Sequence, residues 1–152
     1  FSEWIADNEA LGIVRNVTRE LGGVELVEPI DFMTTNRGLY AALESDDSYR
    51  RIQNVEALLS ADTLYYIPKD RIPEISRGIR DGDIIAATSS IDGLDIAHTG
   101  LAIWIDGELH FMNAPLVGKS VEISELPLAA RIERISEQDG IMVARPRESE
   151  DE

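Results

Sequence analysis

The dipeptide Asp106-Gly107 constrains the fold of this chain more than any other short feature of its sequence. Asp-Gly is favoured in the two-residue type I′ turn of a β-hairpin, and β-type residues flank it on both sides. We therefore predict a hairpin with strands His98–Ile105 and Glu108–Asn113. A two-residue loop also defines which residues lie opposite each other, and side chains alternate between the two faces of a strand.

The predicted register separates the only two histidines of the chain. It places His98 and Asn113 on one face of the hairpin, as diagonal neighbours within reach of a hydrogen bond. It places His110 on the opposite face. Gly100 shares the face of His98 and has no side chain, so we expect the space beside it to admit a substrate.

Helical patterns dominate the first half of the chain, and β-type segments dominate after residue 80. Helices are predicted at Ser2–Leu11, in two stretches from Asn36 to Ser60 that break near Ser45, at Asp70–Arg80 and at Ser124–Arg134. Short strands are predicted at Val24–Val27, Leu64–Ile67, Ile84–Thr88, Val121–Ile123 (after a Gly118-Lys119 turn) and Ile141–Ala144. Asp31–Thr35 fits a loop or strand end. Val14–Leu21 fits either a helix or a strand. This order predicts one α+β domain over residues 1–147, with helices packed on a small antiparallel sheet or half-barrel, and an acidic disordered tail at residues 148–152.

Composition excludes several classes of partner and of chemistry. The formal net charge of −15 argues against nucleic acid or an anionic membrane surface as a partner, because either would be repelled. No apolar run approaches the roughly 20 residues of a membrane span. The chain has no cysteine, so these residues contain no disulfide and no cysteine nucleophile. We expect no metal and no other cofactor, because a catalytic zinc needs about three protein ligands and no glycine-rich phosphate loop is present.

The pair His98 and Asn113 is the arrangement with the clearest chemical meaning. A histidine oriented by an amide is the base of papain-like cysteine hydrolases, in which the imidazole forms an ion pair with the thiolate. A histidine that only makes a local hydrogen bond at the start of a strand fits the pattern equally well. The residues by themselves leave both interpretations open.

Six segments of the chain resemble the bacterial N-acetylmuramoyl-L-alanine amidase-like family, which belongs to the NlpC-type cell-wall hydrolases with a papain-like fold. The string GLDIAHTG is the most specific of them, whereas Gly-Asp followed by His-x-Gly is shared by the wider superfamily. The segments are Phe1–Asn8, Asp31–Thr35, Asp81–Ile85, Gly93–Gly100, Leu109–Pro115 and Ile141–Pro146. The resemblance therefore extends over nearly the whole chain.

This resemblance implies roles for particular residues. His98 matches the catalytic histidine, and Asn113 lies in the stretch where the superfamily carries its third polar residue, commonly another histidine. His110 is the alternative third residue, but only Asn113 shares the predicted face of His98. The family's nucleophilic cysteine lies on a helix before the segment that begins at Phe1. We therefore expect the chain to be the C-terminal part of a longer cysteine amidase and to be inactive by itself.

The resemblance also implies an activity and a location. The intact protein would cleave the amide bond between N-acetylmuramic acid and L-alanine in peptidoglycan fragments (muramyl peptides), in the periplasm or at the cell surface. Asp95, Met33 and Thr34 are candidates for substrate binding, although turn formation, core packing and helix capping explain them as well. The alternative function, favoured by the missing cysteine, is a catalytically dead module that binds cell-wall peptides or a protein partner.

Overall fold

The computed structural model describes residues 1–116 and 120–147. These residues form one eight-stranded sheet in the order β2-β3-β8-β4-β5-β6-β7, and β1 also pairs with β8. All the strand pairs are antiparallel. The strands are β1 (Val14–Asn16), β2 (Val24–Leu26), β3 (Leu64–Pro68), β4 (Ile84–Ser89), β5 (Ile96–Ile105), β6 (Glu108–Asn113), β7 (Glu122–Ile123) and β8 (Gln138–Pro146). The α-helices are α1 (Ser2–Ala10), α2 (Phe32–Thr35), α3 (Asp46–Ala61), α4 (Ile72–Ile75) and α5 (Leu128–Arg134).

The α+β class is confirmed, and the sheet contains one strand that the sequence pattern did not settle, β1, before the two strands predicted in the first half of the chain. The ambiguous segment 14–21 begins as β1, which pairs with the end of β8. Immediately after β1, the Thr18 hydroxyl accepts a hydrogen bond of 2.9 Å from the amide of Val143. Pairing with a distant strand therefore decides a segment whose local pattern favours neither helix nor strand.

Three predicted helices differ from the observed elements. The segment 70–80 forms one α-turn, α4, between the 3₁₀ turns Lys69–Arg71 and Ser76–Gly78. The first stretch after Asn36 forms the 3₁₀ turns Arg37–Leu39 and Ala41–Glu44 instead of an α-helix. Helix α5 begins at Leu128, because Ser124 is still bonded to strand β6 through the amide of Phe111. Asp31–Thr35, predicted as a loop or strand end, contains the single-turn helix α2.

The sheet buries both faces, which divides the core into two clusters. The first cluster lies under α4 and α5 and includes Ile85, Phe111 and Val143, whereas the second lies under α1 and includes Ala86 and Ala144. Neighbouring residues of β4 and of β8 therefore point to different clusters, as the alternation of side chains along a strand requires.

The predicted hairpin is confirmed as β5 and β6. Ile105 pairs with Glu108 and Ala102 pairs with Phe111, which is the predicted register. Asp106 and Gly107 both have positive φ, at 49° and 87°, as a type I′ turn requires. The predicted turn at 118–119 and the predicted tail at 148–152 lie outside the described residues.

In the described part of the chain, every helix is too short or too polar to span a bilayer.

Candidate active site

His98 and Asn113 form a hydrogen-bonded pair on neighbouring strands. His98 Nε2 lies 2.9 Å from Asn113 Oδ1. The two side chains project from the sheet face that carries the first core cluster, since Phe111 of that cluster contacts the His98 ring. Asn113 is 4% exposed, whereas His98 is half-buried. The predicted face and the predicted hydrogen bond are both present.

The orientation of the Asn113 amide determines which nitrogen of His98 carries the proton. Asn113 Nδ2 lies 3.3 Å from the carbonyl oxygen of Phe111, which only accepts hydrogen bonds. The amide oxygen must therefore face His98, and His98 Nε2 must donate to it. In the neutral imidazole this leaves Nδ1 without a proton and able to accept one. The hydrogen bond to Asn113 thus determines the tautomer of the neutral His98 ring.

The ring of Phe111 packs against His98, and it contradicts the expectation that the space beside Gly100 admits a substrate. Its ring is fully buried and meets the His98 ring edge-to-face, with the ring centroids 5.9 Å apart. A Cβ atom at Gly100 would lie 2.7 Å from two ring atoms of Phe111 and 2.5 Å from the carbonyl oxygen of Met112. The space beside Gly100 is therefore filled by Phe111 and does not admit a substrate.

His110 lies on the other face of the hairpin and is engaged separately. Its Nδ1 lies 2.9 Å from the carbonyl oxygen of Ser124, so this nitrogen carries a hydrogen and donates a hydrogen bond to that oxygen. Only Asn113 of the two candidates for the third polar residue contacts His98.

Met33 and Thr34 are held by a buried carboxylate on α3. Glu56 Oε1 accepts hydrogen bonds from the amide of Met33 at 2.9 Å and from the amide of Thr34 at 3.2 Å, and Glu56 Oε2 accepts one from the Thr34 hydroxyl. Glu56 is 6% exposed. It therefore satisfies the free amides at the start of α2 from a distant helix.

Asp95 is bonded to the start of α1. Its Oδ2 accepts hydrogen bonds from the Ser2 hydroxyl at 2.6 Å and from the Ser2 amide at 3.1 Å. Burial opposes ionisation of Asp95, but the hydrogen bonds from Ser2 outweigh it and lower the pKa of the carboxyl. Asp95 is thus an ionised anchor between α1 and the loop before β5.

Asp95 and Met33 line one cavity of about 260 Å³, together with Glu56 and Ile96. Ile96 packs against the second core cluster, on the α1 side of the sheet. His98 contacts Phe111 of the first cluster. The structure therefore brings together two groups of predicted residues, His98 with Asn113 and Met33 with Asp95, but the groups belong to different clusters.

Two residues near these groups are not predicted from the sequence. The helical pattern of residues 46–60 predicts a solvated face for Glu56, which the structure instead buries, and no pattern indicates a role for Arg131. Arg131 lies over the ring of Phe111, with its guanidinium carbon 4.8 Å from the ring centroid. No local signal marks either residue, because each acts on a segment more than ten positions away. Residues 1–116 and 120–147 contain no cluster of His, Cys, Asp and Glu that would hold a metal ion.

Comparison with solved structures shows strong similarity over almost the whole chain. A Bacteroides uniformis protein named an N-acetylmuramoyl-L-alanine amidase is 30% identical with a TM-score of 0.89, over 97% of this chain and 63% of its own. A Bacteroides fragilis protein provisionally named a xylanase is 31% identical with a TM-score of 0.88, over 95% of this chain and 64% of its own. This chain therefore spans slightly less than two thirds of these structures.

A third structure, of a Legionella pneumophila protein, is 17% identical with a TM-score of 0.57, over 93% of this chain and 58% of its own, and shares only the fold. No curated protein matches the chain significantly. The family model described as AmiA-like, N-acetylmuramoyl-L-alanine amidase-like, matches residues 1–141. On this match, which covers most of the sheet and the His98–Asn113 pair, the chain belongs to the AmiA-like family.

Proposed function

We propose that the intact protein is a peptidoglycan amidase that cleaves the bond between N-acetylmuramic acid and L-alanine, with a cysteine nucleophile outside residues 1–152. The hydrogen bond between His98 Nε2 and Asn113 Oδ1 carries this proposal. The membership of the AmiA-like family and the similarity to the Bacteroides uniformis protein named an amidase support it. We further propose that the fold is the papain-like fold of the NlpC-type hydrolases, with residues 1–147 forming its C-terminal part.

The arrangement of the pair fits one half of a cysteine-hydrolase mechanism. His98 Nδ1 would take the proton of the thiol, and the thiolate would then attack the amide carbonyl carbon. His98 would return the proton to the leaving amine as the C–N bond breaks. Water would then hydrolyse the thioester and regenerate the thiol. Throughout, Asn113 would keep the His98 ring in the tautomer and the orientation that this proton transfer needs.

The cavity between α1 and α2 is the proposed site for a remote part of the substrate. Met33 and Asp95 line it, and Thr34 is placed beside it by Glu56. The cavity is lined mainly by apolar side chains, as ligand sites usually are. A family of peptidoglycan amidases acts outside the cytoplasm, so we propose a periplasmic or cell-surface location for the intact protein.

Activity of the full-length protein tests the proposal. We expect it to release a peptide with a free L-alanine amine from muramyl peptides, detected by mass spectrometry. A His98→Ala variant should lose at least about 10²–10⁴-fold in rate, the usual contribution of a general base. A thiol-alkylating reagent should also abolish activity, and the modified cysteine should map outside residues 1–152.

His110→Ala is the matched control. His110 is the other histidine, and within residues 1–116 and 120–147 its ring hydrogen-bonds only to the backbone of Ser124. It should retain activity. Activity that survives in His98→Ala would refute the mechanism. Binding of muramyl peptides without cleavage would favour the binding module instead. A glycosidase would need two carboxyl groups facing one cleft, so xylan cleavage that is insensitive to His98→Ala would support that class.

A further inference from the structure

A surface pocket of about 380 Å³ lies between strand β7 and helix α5, next to the strand that carries Asn113. Strand β7 forms one wall of it, and Glu122 of β7 pairs directly with Asn113. Residues that are opposite each other in an antiparallel pair share one face of the sheet, so Glu122 and Asn113 point to the same side. Helix α5 forms the other wall and contributes Arg131 and Arg134.

Arg131 is a half-buried cation without a carboxylate partner in the described part of the chain. Its guanidinium carbon lies 4.8 Å from the centroid of the Phe111 ring, and its Nη1 lies 3.4 Å from Gln138 Oε1, a long hydrogen bond. None of the ion pairs among the described residues includes it. Burial lowers the pKa of Arg131, and the nearby charge of Glu122 offsets this only in part.

The contact with Phe111 compensates only part of the cost of burying the charge of Arg131. A cation–π contact uses the face of an aromatic ring and is worth about 0.5–2 kcal/mol, depending on desolvation. The guanidinium still carries five N–H donors in a planar fork that matches a carboxylate. A partly desolvated charge is unfavourable unless a partner compensates it. Apart from the donor of Nη1 that meets Gln138, the side-chain donors of Arg131 have no hydrogen-bond partner among the described residues and remain available to a ligand.

Phe111 links Arg131 to the proposed catalytic pair. Arg131 lies over its ring, and the His98 ring meets the same ring edge-to-face at 5.9 Å between centroids. These two distances place the guanidinium carbon and the centre of the His98 ring at most about 11 Å apart, a span that roughly three extended residues cover. The pocket also contains Glu122 and Glu125, whose charges disfavour a ligand with many negative charges. The charge balance favours a single carboxylate.

We propose that Arg131 binds a carboxylate on the peptide part of the substrate, one or two residues from the scissile amide. This inference rests on the proposed function and deepens it, because it assigns the substrate to the acidic acyl peptides. Arg131 would fix the position of the peptide, while His98 acts on the amide bond. A substrate with a carboxamide at this position would bind without the charge-assisted hydrogen bonds.

The test compares two probes in full-length protein by isothermal titration calorimetry. The probes are N-acetyl-Ala-Ala with a free C-terminal carboxylate and the same dipeptide with a C-terminal carboxamide. The wild type should bind the carboxylate form roughly 10–100-fold more tightly, as charge-assisted hydrogen bonds imply. Arg131→Gln should remove this difference, and Arg131→Lys should restore part of it, because lysine keeps the charge but not the fork.

Arg51→Gln is the matched control, since Arg51 is an exposed arginine on α3, outside the pocket. It should leave the ratio between the two probes unchanged. Thermal unfolding of each variant shows whether it is folded. A wild type that binds both probes equally would overturn the inference, and so would an Arg131→Gln variant that weakens both probes equally.

The outcomes also separate this inference from the proposed function. Carboxylate selectivity that depends on Arg131, in a protein that does not cleave muramyl peptides, would support the inference and refute the amidase. Cleavage that depends on His98, with no effect of Arg131→Gln on either probe, would support the amidase and refute the inference.

Discussion

At the scale of single residues, the geometry around His98 depends on a glycine that lies beneath an aromatic ring. The Phe111 ring occupies the space of the side chain that Gly100 lacks, and it meets the His98 ring at its edge. Asn113 is fixed in turn by its hydrogen bond to the backbone of Phe111. The position of one ring therefore supports both members of the proposed catalytic pair.

We predict that Gly100→Ala destabilises the protein by about 1–3 kcal/mol, the usual cost of overpacking a core. The new methyl group would displace either the Phe111 ring or the carbonyl oxygen of Met112. Urea unfolding measures the loss, and the nitrogen chemical shifts of His98 report whether its hydrogen bond to Asn113 survives.

Gly38→Ala is the control for this change. A Cβ atom at Gly38 would meet no heavy atom within 4 Å apart from those of its chain neighbours, and the φ of Gly38 is not in the left-handed region. This variant should have the stability of the wild type or slightly more, because alanine restricts the unfolded chain. Equal stability of Gly100→Ala and Gly38→Ala would contradict the packing described for Phe111.

At the scale of elements, an ion pair joins the start of β4 to the end of β8. Asp83, which is 1% exposed, accepts hydrogen bonds from Arg145 Nε at 2.9 Å and from Arg145 Nη2 at 2.7 Å. It also accepts one from the amide of Arg80 at 2.8 Å. Asp83 raises the pKa of Arg145 through these hydrogen bonds, although burial of the guanidinium opposes the shift. The pair aligns the two central strands of the sheet.

We predict that Asp83→Asn lowers the free energy of unfolding by about 3–5 kcal/mol at pH 7, because it leaves the partly buried Arg145 without its counter-charge. Guanidinium chloride unfolding measures this loss. The surface variant Asp92→Asn removes the same charge from an exposed loop and should change the stability by less than about 0.5 kcal/mol. A similar, small loss in both variants would show that the ion pair contributes little.

At the scale of the whole molecule, the formal net charge of −15 makes self-repulsion a global property. Apart from the pair of Asp83 and Arg145, the side-chain ion pairs among the described residues are exposed and contribute little to stability. Repulsion between excess carboxylates therefore dominates the long-range electrostatics at low salt.

We predict that Tm at pH 7 rises by about 2–4 °C when NaCl increases from roughly 10 to roughly 150 mM, because the screening length falls from about 30 to about 8 Å. Differential scanning calorimetry measures the change. Near the sequence pI of about 4.4 the net charge vanishes, so the same salt step should leave Tm nearly constant. A Tm that falls with salt at pH 7 would show that local ion pairs outweigh repulsion.

The sequence by itself determined the hairpin and the face that His98 and Asn113 share. Both follow from interactions within sixteen consecutive residues, since a two-residue turn and the alternation of side chains define the register. The α+β class followed from the same kind of local pattern. The segments that were correctly assigned, such as α1 and β4, also have patterns that are complete within their own length.

Only the tertiary structure decided which residues surround that pair and which segments remain helical. Phe111 fills the space above Gly100, Glu56 caps a helix 22 positions away, and Arg131 reaches Phe111 from α5. Such contacts join residues that are distant in the chain, and no periodicity records them. The physical reason is that the register of a hairpin depends on residues close together in the sequence. Packing, capping and charge pairing depend instead on residues that are distant in the sequence and become neighbours only in the complete fold.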